Sequence, residues 1–324
     1  MSAVISSRIR FARNIKDYPF YSKLDSTSAK EIIEKVRGAL PESFTETDFS
    51  ALTKYEALSY IERHKVSHEF VSSKLPHSLF ECEDTAIMTC EEDHIRLQCI
   101  KSGLCLEDAY NEARKTDELL ISKMNIAYSD SLGFLTHCPT NLGTGMRASV
   151  MMFLPSTVKS GKLHSIISSL SKLGVTVRGL YGEGSTAVGS IFQISNTKTL
   201  GVDEETVIKN MTEIAKQLCE IENECREKIY NSDKLALEDK VARSIGILKY
   251  AKMLDSTEFI SHYEIIRMGA ELGICDVISV EELDRLFYEA MPANIMKLSG
   301  KELSERERDV YRAEMINNAL IGNK

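Results

Sequence analysis

The sequence has none of the features of a membrane protein, a secreted protein or a general nucleic-acid binder. Its apolar runs are too short to span a bilayer, and the first residues, MSAVISSRIR, lack the charged start and apolar stretch of a signal peptide. The formal net charge of -8 disfavours the broad basic surface that nucleic acid or a membrane would require. We therefore expect a cytoplasmic protein without direct contact to nucleic acid or membrane.

Cysteine spacing and the common phosphate-binding loops exclude further classes. The 8 cysteines form no CxxC pair, which disfavours a structural zinc site, and a cytoplasmic location disfavours disulfides. Two GxGxxA strings, at 143–148 and 182–187, lack the strand, turn and helix setting of a dinucleotide fingerprint. There is no GxxxxGKS or GxxxxGKT loop and no HRD or DFG motif. A phosphoryl transferase with this sequence would therefore use neither common apparatus.

The hydrophobic pattern predicts two parts of different architecture. Up to about residue 200, alternating stretches and several helices predict an α+β domain with a mostly antiparallel sheet flanked by helices. After Gly201 nearly every segment has helical spacing, and Ser279 and Ser304 each start a capping box. The 324 residues, 43% of them hydrophobic, are enough for one large or two ordinary domains. We expect a first domain at 1–230 and an all-helical C-terminal domain at 231–324.

Arginines on predicted strands and beside glycine turns indicate a site for a polyanion. Arg8 and Arg10 lie two residues apart on a strand predicted at 4–13, so their side chains share one face. Such a pair in isolation is usually a solvated face. Arg147, however, follows a glycine-rich turn at 141–145, where the backbone can approach a ligand closely. The cluster repels itself unless a polyanion is bound, and a nucleotide triphosphate with Mg²⁺ is the natural candidate. The other predicted members are Arg96 and Arg178.

Two carboxylates near these arginines have the wrong sign for phosphate and the right sign for a cationic acceptor. Glu92 precedes a predicted half-buried strand and shares a face with His94 and Arg96 if the alternation extends back. Its acidic neighbourhood is either a solvated turn or the wall of a polar cleft. Glu183 lies in a second glycine-rich loop, LYGEGSTAVG. A planar guanidinium can contact a carboxylate at two points, which suits an arginine-like acceptor. Cys138 is a candidate nucleophile.

Several long motifs together resemble the ATP:guanidino phosphotransferase family, which includes the arginine and creatine kinases. They are SSRIRFARN at 6–14, EEDHIRLQ at 91–98, CPTNLGTGMRASV at 138–150, and RGLYGEGS with GSIFQISN at 178–196. Within this family the chain is most similar to the bacterial protein-arginine kinases, and the resemblance covers nearly the whole chain. It implies a guanidino-kinase catalytic domain at 1–230, ATP and Mg²⁺ as cofactors, and no metal ligand among the protein side chains.

The resemblance also implies roles for individual residues. Glu92 matches the carboxylate that orients the acceptor guanidinium and helps to remove its proton, and Glu183 matches a second such carboxylate. Cys138 matches the reactive cysteine of the active-site turn, with either a catalytic or a regulatory role. The residues that match the family's ATP-binding positions are Ser6, Arg8, Arg10, His64, Arg96, Arg147 and Arg178.

The string RDVYRA at 308–313 has two interpretations. Arg308 and Arg312 lie four residues apart on a predicted helix, and a like-charge pair at this spacing usually belongs to a solvated face. The resemblance implies instead an allosteric phosphoarginine-binding site. In that site both arginines contact the phosphoryl group and Asp309 contacts the guanidinium.

The start of the chain favours a protein as the phosphoryl acceptor. Family members that act on small molecules have an extra N-terminal helical domain, whereas SSRIR here begins almost at Met1. We therefore expect an open site and ATP-dependent phosphorylation of arginine residues in proteins. The alternatives are a kinase of free arginine or another small guanidino compound, and a weakly active phosphoarginine-binding adaptor.

The partners implied by the resemblance belong to regulated protein degradation. They are protein substrates with exposed arginines, a zinc-binding activator of the McsA type, a CtsR-type repressor and the ClpC–ClpP machinery. The chain is also expected to form a homodimer. Phosphorylation would alter the repressor or mark substrates for degradation in the stress response and protein quality control.

Overall fold

The computed structural model describes residues 3–180 and 188–321, and within these ranges it has the predicted α+β architecture. One large antiparallel sheet occupies the first part of the chain, and a series of helices follows it. The predicted fold class, a mostly antiparallel sheet flanked by helices and followed by a helical C-terminal part, is confirmed. Among the helices in the described ranges, none is long and apolar enough to cross a membrane.

The strands form an eight-stranded sheet and a separate two-stranded pair. In chain order they are β1 (Val4–Arg13), β2 (Thr45–Asp48), β3 (Ser78–Cys82), β4 (Thr85–Thr89), β5 (Ile95–Ser102), β6 (Tyr128–Ser129), β7 (Gly133–Phe134), β8 (Met146–Phe153), β9 (Val175–Gly179) and β10 (Ile191–Asn196). The large sheet has the order β2-β3-β4-β5-β1-β8-β10-β9, and its neighbours are antiparallel. Strand β1 therefore lies near the middle, between β5 and β8.

Helices cover one face of this sheet and fill the C-terminal part. The helices are α1 (Ser26–Ala39), α2 (Lys54–Glu62), α3 (His68–Val71), α4 (Leu106–Lys123), α5 (Pro155–Lys159), α6 (Leu163–Lys172), α7 (Glu204–Ser232), α8 (Lys234–Tyr250), α9 (Ser256–Glu271), α10 (Val280–Glu289), α11 (Pro292–Ser299) and α12 (Glu305–Ile321). Ile9 and Phe11 of β1 share a core with Ala113 of α4 and Leu218 of α7. Because side chains alternate along a strand, Arg8 and Arg10 point to the opposite face.

The opposite face is divided between the C-terminal helices and a polar strip. Met151, Phe153 and Ile191 of β8 and β10 share a second apolar core with Phe259 of α9 and Phe287 of α10. Helix α11 packs against α2 from the first part of the chain. The C-terminal helices therefore contact the sheet on the same face as the arginines.

Caps and turns set several local boundaries. The first helix, α1, is capped by Asp25, whose side chain accepts from the N–H of Ser28. The helical segment between Ser156 and Gly174 is divided into α5 and α6. Gly161, with φ of 73°, lies between them. The chain continues as helix through position 230, and Asp233 separates α7 from α8. A division at 230/231 stays a prediction.

Arg13, at the end of β1, is a structural arginine. It is 1% exposed, and its Nε and Nη2 donate to the two carboxylate oxygens of Asp117 on α4 at 3.0 and 2.7 Å. Its Nη1 donates to the carbonyl of Thr144 at 3.0 Å, and its guanidinium lies 3.5 Å from the ring centroid of Phe134. This one side chain thus joins the central strand, a covering helix and the turn before β8.

Replacing Asp117 by asparagine should lower the free energy of unfolding by about 3–5 kcal/mol, because Arg13 would stay buried without its counter-charge. Urea denaturation followed by circular dichroism measures the change. Glu118→Gln is the control, since the Glu118 ion pair with Arg114 is exposed and worth less than about 1 kcal/mol. Equal losses in the two variants would contradict the role assigned to the buried pair.

Candidate active site

Strand pairing brings the predicted arginines onto one face of the sheet. Arg10 of β1 lies directly opposite Arg147 of β8. Arg96 of β5 lies opposite Ala12, which has the same side-chain direction as Arg8 and Arg10. Since residues paired across strands point to the same face, four of the predicted arginines converge on the centre of the sheet.

Arg178 joins this group from the edge strand β9. It pairs with Gln193 of β10, and Gln193 pairs with Met151 of β8. Residues paired in this way point to the same face, so Arg178 shares the face of Met151 and Arg147. Arg178 is exposed, whereas Arg8, Arg10 and Arg147 are half-buried. The outermost arginine is therefore the one with the most access to solvent.

Arg8, Arg10, Arg96, Arg147 and Arg178 form an arginine strip on this face. A cavity of about 390 Å³ lies over part of the strip, and most of the predicted active-site residues line it. Among its lining residues are Arg10, Glu92, Arg96, Cys138, Arg147 and Arg178. Glu92, the carboxylate expected to bind the acceptor, thus lies on the same concave surface as five other predicted residues. The cavity has the opposite charges that a phosphate and a guanidinium would each need.

A second cleft, of about 760 Å³, adjoins the first along the same strands. Its lining includes Ser6, Arg8 and His64, which are the other residues predicted to bind ATP within the described ranges. Helices α9 and α10 form its other wall. The predicted ATP-binding residues therefore line two neighbouring spaces. The boundary between the two spaces falls between Arg8 and Arg10 on β1.

The acidic run before β5 forms a turn, so the strand alternation does not extend back to Glu92. Cys90 has φ of 57°, and its N–H donates to the carbonyl of His94 at 2.9 Å. His94 is fully buried, with its ring nitrogens 3.1 Å from the N–H nitrogen of Ile15 and 2.8 Å from the carbonyl of Pro19. It therefore supports the turn and does not line the cavity with Glu92.

Two consecutive glutamates hold Arg96 from this turn. Arg96 donates through Nη1 to Glu91 at 2.7 Å and through Nη2 to Glu92 at 2.7 Å. Glu91 is 3% exposed and also accepts from the hydroxyl of Ser67, while the Glu92 side chain is 34% exposed. Glu91 is thus a structural partner of Arg96, and Glu92 is open to the cavity.

A buried polar cluster that the sequence analysis missed connects three segments of the site. Asp93 is fully buried, and its Oδ1 accepts from Asn14 Nδ2 at 2.6 Å and from the N–H of His137 at 2.7 Å. Asn14 Oδ1 accepts from the N–H of His94 at 2.9 Å. Burial raises the pKa of Asp93. The only sequence signal was the position of Asn14 and Asp93 inside two of the long motifs.

The glycine-rich turn brings Cys138 and Arg147 to the cavity. Gly145 has φ of 60°, and a Cβ there would lie 2.8 Å from the carbonyl of Ala12, so only glycine fits against β1. Cys138 is half-buried, with its Sγ 3.0 Å from the Thr140 hydroxyl. Cys138 therefore borders the site, and a catalytic or regulatory role for it stays a prediction.

Desolvation and mutual repulsion make the unliganded arginine strip unfavourable. Burial, together with the charges of Arg147 and Arg96, lowers the pKa of Arg8 to about 10. Burial and the neighbouring arginines lower the pKa of Arg10 well below its ordinary value. The pKa of Arg147 is lowered by burial and by Arg178 and Arg96. A bound polyanion would remove this repulsion.

His64 is held between the sheet and the C-terminal helices. Its φ is 57°, and its ring lies edge-on to Tyr288 of α10, with centroids 5.7 Å apart. Burial, and then the charge of Arg8, lowers the pKa of His64 to about 3. The imidazole is therefore neutral at neutral pH and can contact a ligand as a hydrogen-bonding or packing group.

The structure describes one of the two remaining predicted elements, the RDVYRA string. Glu183 falls outside the described residues, so its role stays a prediction. In the RDVYRA string, Arg312 is 1% exposed and donates to the carbonyls of Leu254 and Ala290 at 2.6 and 2.7 Å, and to Asp309 at 2.8 Å. Arg308 is half-buried and donates to the carbonyl of Leu303 at 3.1 Å. The string is therefore not a simple solvated face.

Comparison with known proteins places the chain in a family. A model of the ATP:guanido phosphotransferase C-terminal catalytic domain matches residues 28–225, and a model of the protein-arginine kinase McsB C-terminal domain matches residues 234–324. The chain belongs to the ATP:guanido phosphotransferase family. It is accordingly a phosphotransferase enzyme, as the motifs predicted.

Curated relatives match this ATP:guanido phosphotransferase over nearly its whole length. The protein-arginine kinase of Caldanaerobacter subterraneus subsp. tengcongensis is 41% identical over 326 residues, covering 98% of this chain and 96% of the relative. The protein-arginine kinase of Bacillus subtilis is 38% identical over 329 residues, covering 98% and 90%. The similarity therefore includes both the sheet and the C-terminal helices.

A solved structure supports the fold. A crystal structure of lombricine kinase aligns with a TM-score of 0.60 and 23% sequence identity. The alignment covers 68% of this chain and 66% of that chain. The likeness establishes the guanidino-kinase fold.

Arg10→Met should raise the midpoint of thermal unfolding by about 2–4 °C, because it removes one desolvated charge and keeps much of the aliphatic stem. Inorganic tripolyphosphate should raise the wild-type midpoint clearly and the variant midpoint less. Scanning calorimetry measures both effects.

The matched control for this experiment is Arg114→Met on α4, where the arginine is exposed and lies outside the cavity. Its response to tripolyphosphate should equal that of the wild type. A lower midpoint for Arg10→Met with an unchanged tripolyphosphate response would contradict the polyanion site.

Proposed function

We propose that this chain transfers the γ-phosphoryl group of ATP to arginine residues of proteins. The observation that carries the proposal is the placement of Glu92 at the edge of the cavity that also contains Arg10, Arg96, Arg147 and Arg178. The arginines suit the phosphates, and the carboxylate suits a guanidinium. The names of the curated relatives, which match both parts of the chain, support proteins as the acceptor.

The proposed reaction follows from these charges. The arginine strip holds the phosphates of ATP, and negative charge that spreads over the transferring group is neutralised by guanidinium groups. Mg²⁺ bound to ATP would supply further charge neutralisation during the transfer. A nitrogen of the acceptor guanidinium attacks the γ-phosphorus, so that a P–N bond forms and the P–O bond to ADP breaks.

Glu92 is the proposed base for this step. A guanidinium has a pKa above about 12, so its nitrogen becomes nucleophilic only as a proton leaves. The Glu92 side chain is partly exposed to the cavity, and Arg96 fixes one of its oxygens at 2.7 Å. We propose that its other oxygen accepts the proton, with Glu183 as a second carboxylate that orients the acceptor.

Phosphorus NMR tests this function. With Mg²⁺ and ATP, the wild-type enzyme should give an acid-labile P–N signal on a denatured arginine-rich protein and not on free arginine. A signal on free arginine would instead support a kinase of small guanidino compounds, and no signal would support the binding adaptor.

Glu92→Gln should lower the rate by at least about 100-fold while ATP binding is kept, since general-base catalysis is typically worth that much. Near-normal turnover in Glu92→Gln would exclude Glu92 as the base.

We also propose that 231–324 forms a separate helical domain with an allosteric phosphoarginine site at Arg308, Asp309 and Arg312. Arg312 is buried and donates to Asp309, so it fixes the position of that carboxylate. Arg308, being half-buried on the same helix, has better access to a phosphoryl group. Arginine is well suited to bind phosphate at two points.

Arg308→Ala should weaken the binding of free phosphoarginine at least tenfold in titration calorimetry and leave the circular dichroism spectrum unchanged. Arg306→Ala, at an exposed position of the same helix, is the matched control and should bind as the wild type does. Wild-type affinity in Arg308→Ala would refute the site.

The biological setting follows as part of the same proposal. The protein substrates carry exposed arginines, and the expected partners are a McsA-type activator, a CtsR-type repressor and ClpC–ClpP. Exposed apolar side chains on the C-terminal helices, including Leu235 and Tyr250, support a homodimer. We propose a cytoplasmic role in the stress response and protein quality control.

A further inference from the structure

The larger cleft has one wall from the sheet and one from the C-terminal helices. Ser6, Arg8 and Met151 line the sheet side, while Ala270 of α9 and Tyr288 of α10 line the other. The catalytic-domain family model ends at residue 225, so the second wall belongs entirely to the part that matches the other model. A ligand in this cleft would touch both parts of the chain.

The larger cleft and the smaller cavity follow one another along strands β1 and β8. Arg8 lines the larger cleft and Arg10 the smaller cavity, two residues apart on β1 and thus about 7 Å apart along the strand. On β8, Ser149 and Arg147 have the same relation. A nucleotide whose terminal phosphates lie on Arg10 and Arg147 can therefore reach past Arg8 into the larger cleft.

The larger cleft offers apolar and aromatic surface for a flat base. Aliphatic groups of Ile100, Met151 and Ala270 line it together with the aromatic ring of Tyr288. Charged groups of both signs also line it, among them Arg63, Asp84, Glu281 and Arg285. A carboxylate at such a position can accept a hydrogen bond from an exocyclic amino group of a base.

Tyr288 is fixed at the junction of the two walls. Its ring meets His64 edge-on at 5.7 Å, and its hydroxyl donates to the sulfur of Met151 at 3.6 Å. The carbonyl of Tyr288 accepts from Asn294 Nδ2 at 2.9 Å, and Asn294 in turn accepts from Arg63 Nε at 2.9 Å. These contacts hold the ring against two of the groups that line the cleft from the sheet side.

We propose that the C-terminal helices complete the nucleotide site, with the ring of Tyr288 packing against the base of ATP. This inference rests on the proposed function, because it takes the phosphates to lie on the arginine strip. The C-terminal part then contributes to binding of the base itself, in addition to any regulatory role. Tyr288 is a binding residue for the nucleoside and has no contact with the transferring phosphoryl group.

Titration calorimetry with two probes tests the inference. Mg·ATP reaches both spaces, whereas Mg·tripolyphosphate has no base and reports only on the arginine strip. Tyr288→Ala should weaken ATP binding about tenfold, the usual size of an aromatic contact with a base, and leave tripolyphosphate binding unchanged. Tyr288→Phe should retain wild-type affinity, because it keeps the ring. Tyr128→Ala, at a position 56% exposed and outside both spaces, is the matched control.

A second variant changes the same wall at α9. Ala270→Phe fills the cleft and should weaken ATP binding by at least tenfold without affecting tripolyphosphate. Unchanged ATP affinity in both Tyr288→Ala and Ala270→Phe would overturn the inference, as would equal loss of both probes in the two variants. If the wild-type protein bound neither probe, the proposed function itself would fail, which separates the two failures.

Discussion

Repulsion among arginines on one sheet face is the constraint on which the rest of the structure depends. Arg8, Arg10 and Arg147 are held close enough that desolvation and their charges lower their pKa values. Glu91 and Glu92 neutralise mainly Arg96, so the strip keeps an excess of positive charge. The apolar core under the opposite face must hold the strands together against that repulsion.

Buried polar contacts then determine the shape of the surrounding loops. Asp93 binds Asn14 and the backbone of His137, so the acidic turn and the segment before Cys138 have fixed positions relative to β1. Arg13 and Asp117 do the same for the glycine turn and α4. Each pair is buried and hydrogen-bonded, which makes loss of one partner costly. Glu92 and Arg147 are thereby aligned by groups that do not themselves line the cavity.

The C-terminal helices are connected to the cleft by direct contacts. Glu62, at the end of α2, accepts from the N–H groups of Ala293 and Asn294 at 2.8 Å each, which satisfies the start of α11. Arg312 donates to the carbonyl of Ala290, two residues after Tyr288. A ligand that altered Arg312 would therefore act on the end of the helix that carries Tyr288. Arg312 of α12 and the larger cleft therefore both contact the end of α10.

The sequence by itself determined the elements and most members of the site. Alternation in β1 placed Arg8 and Arg10 on one face, and the long motifs identified the family. The local sequence pattern predicted the bounds of strands and helices less reliably where a turn interrupts the pattern. Cys90 starts a turn with a positive φ, so the alternation of β5 does not extend back to Glu92, and α11 at Pro292–Ser299 was not predicted.

Only the tertiary structure decided which strands are neighbours, and therefore which arginines meet. Arg10 and Arg147 are far apart in sequence and face each other because β1 pairs with β8 in one register. The contacts of Tyr288 with His64 and Met151 have the same origin, since no local sequence feature connects these residues. Sequence spacing reports the direction of a side chain within its own strand or helix. Contacts between elements depend on packing over the whole chain, which spacing does not encode.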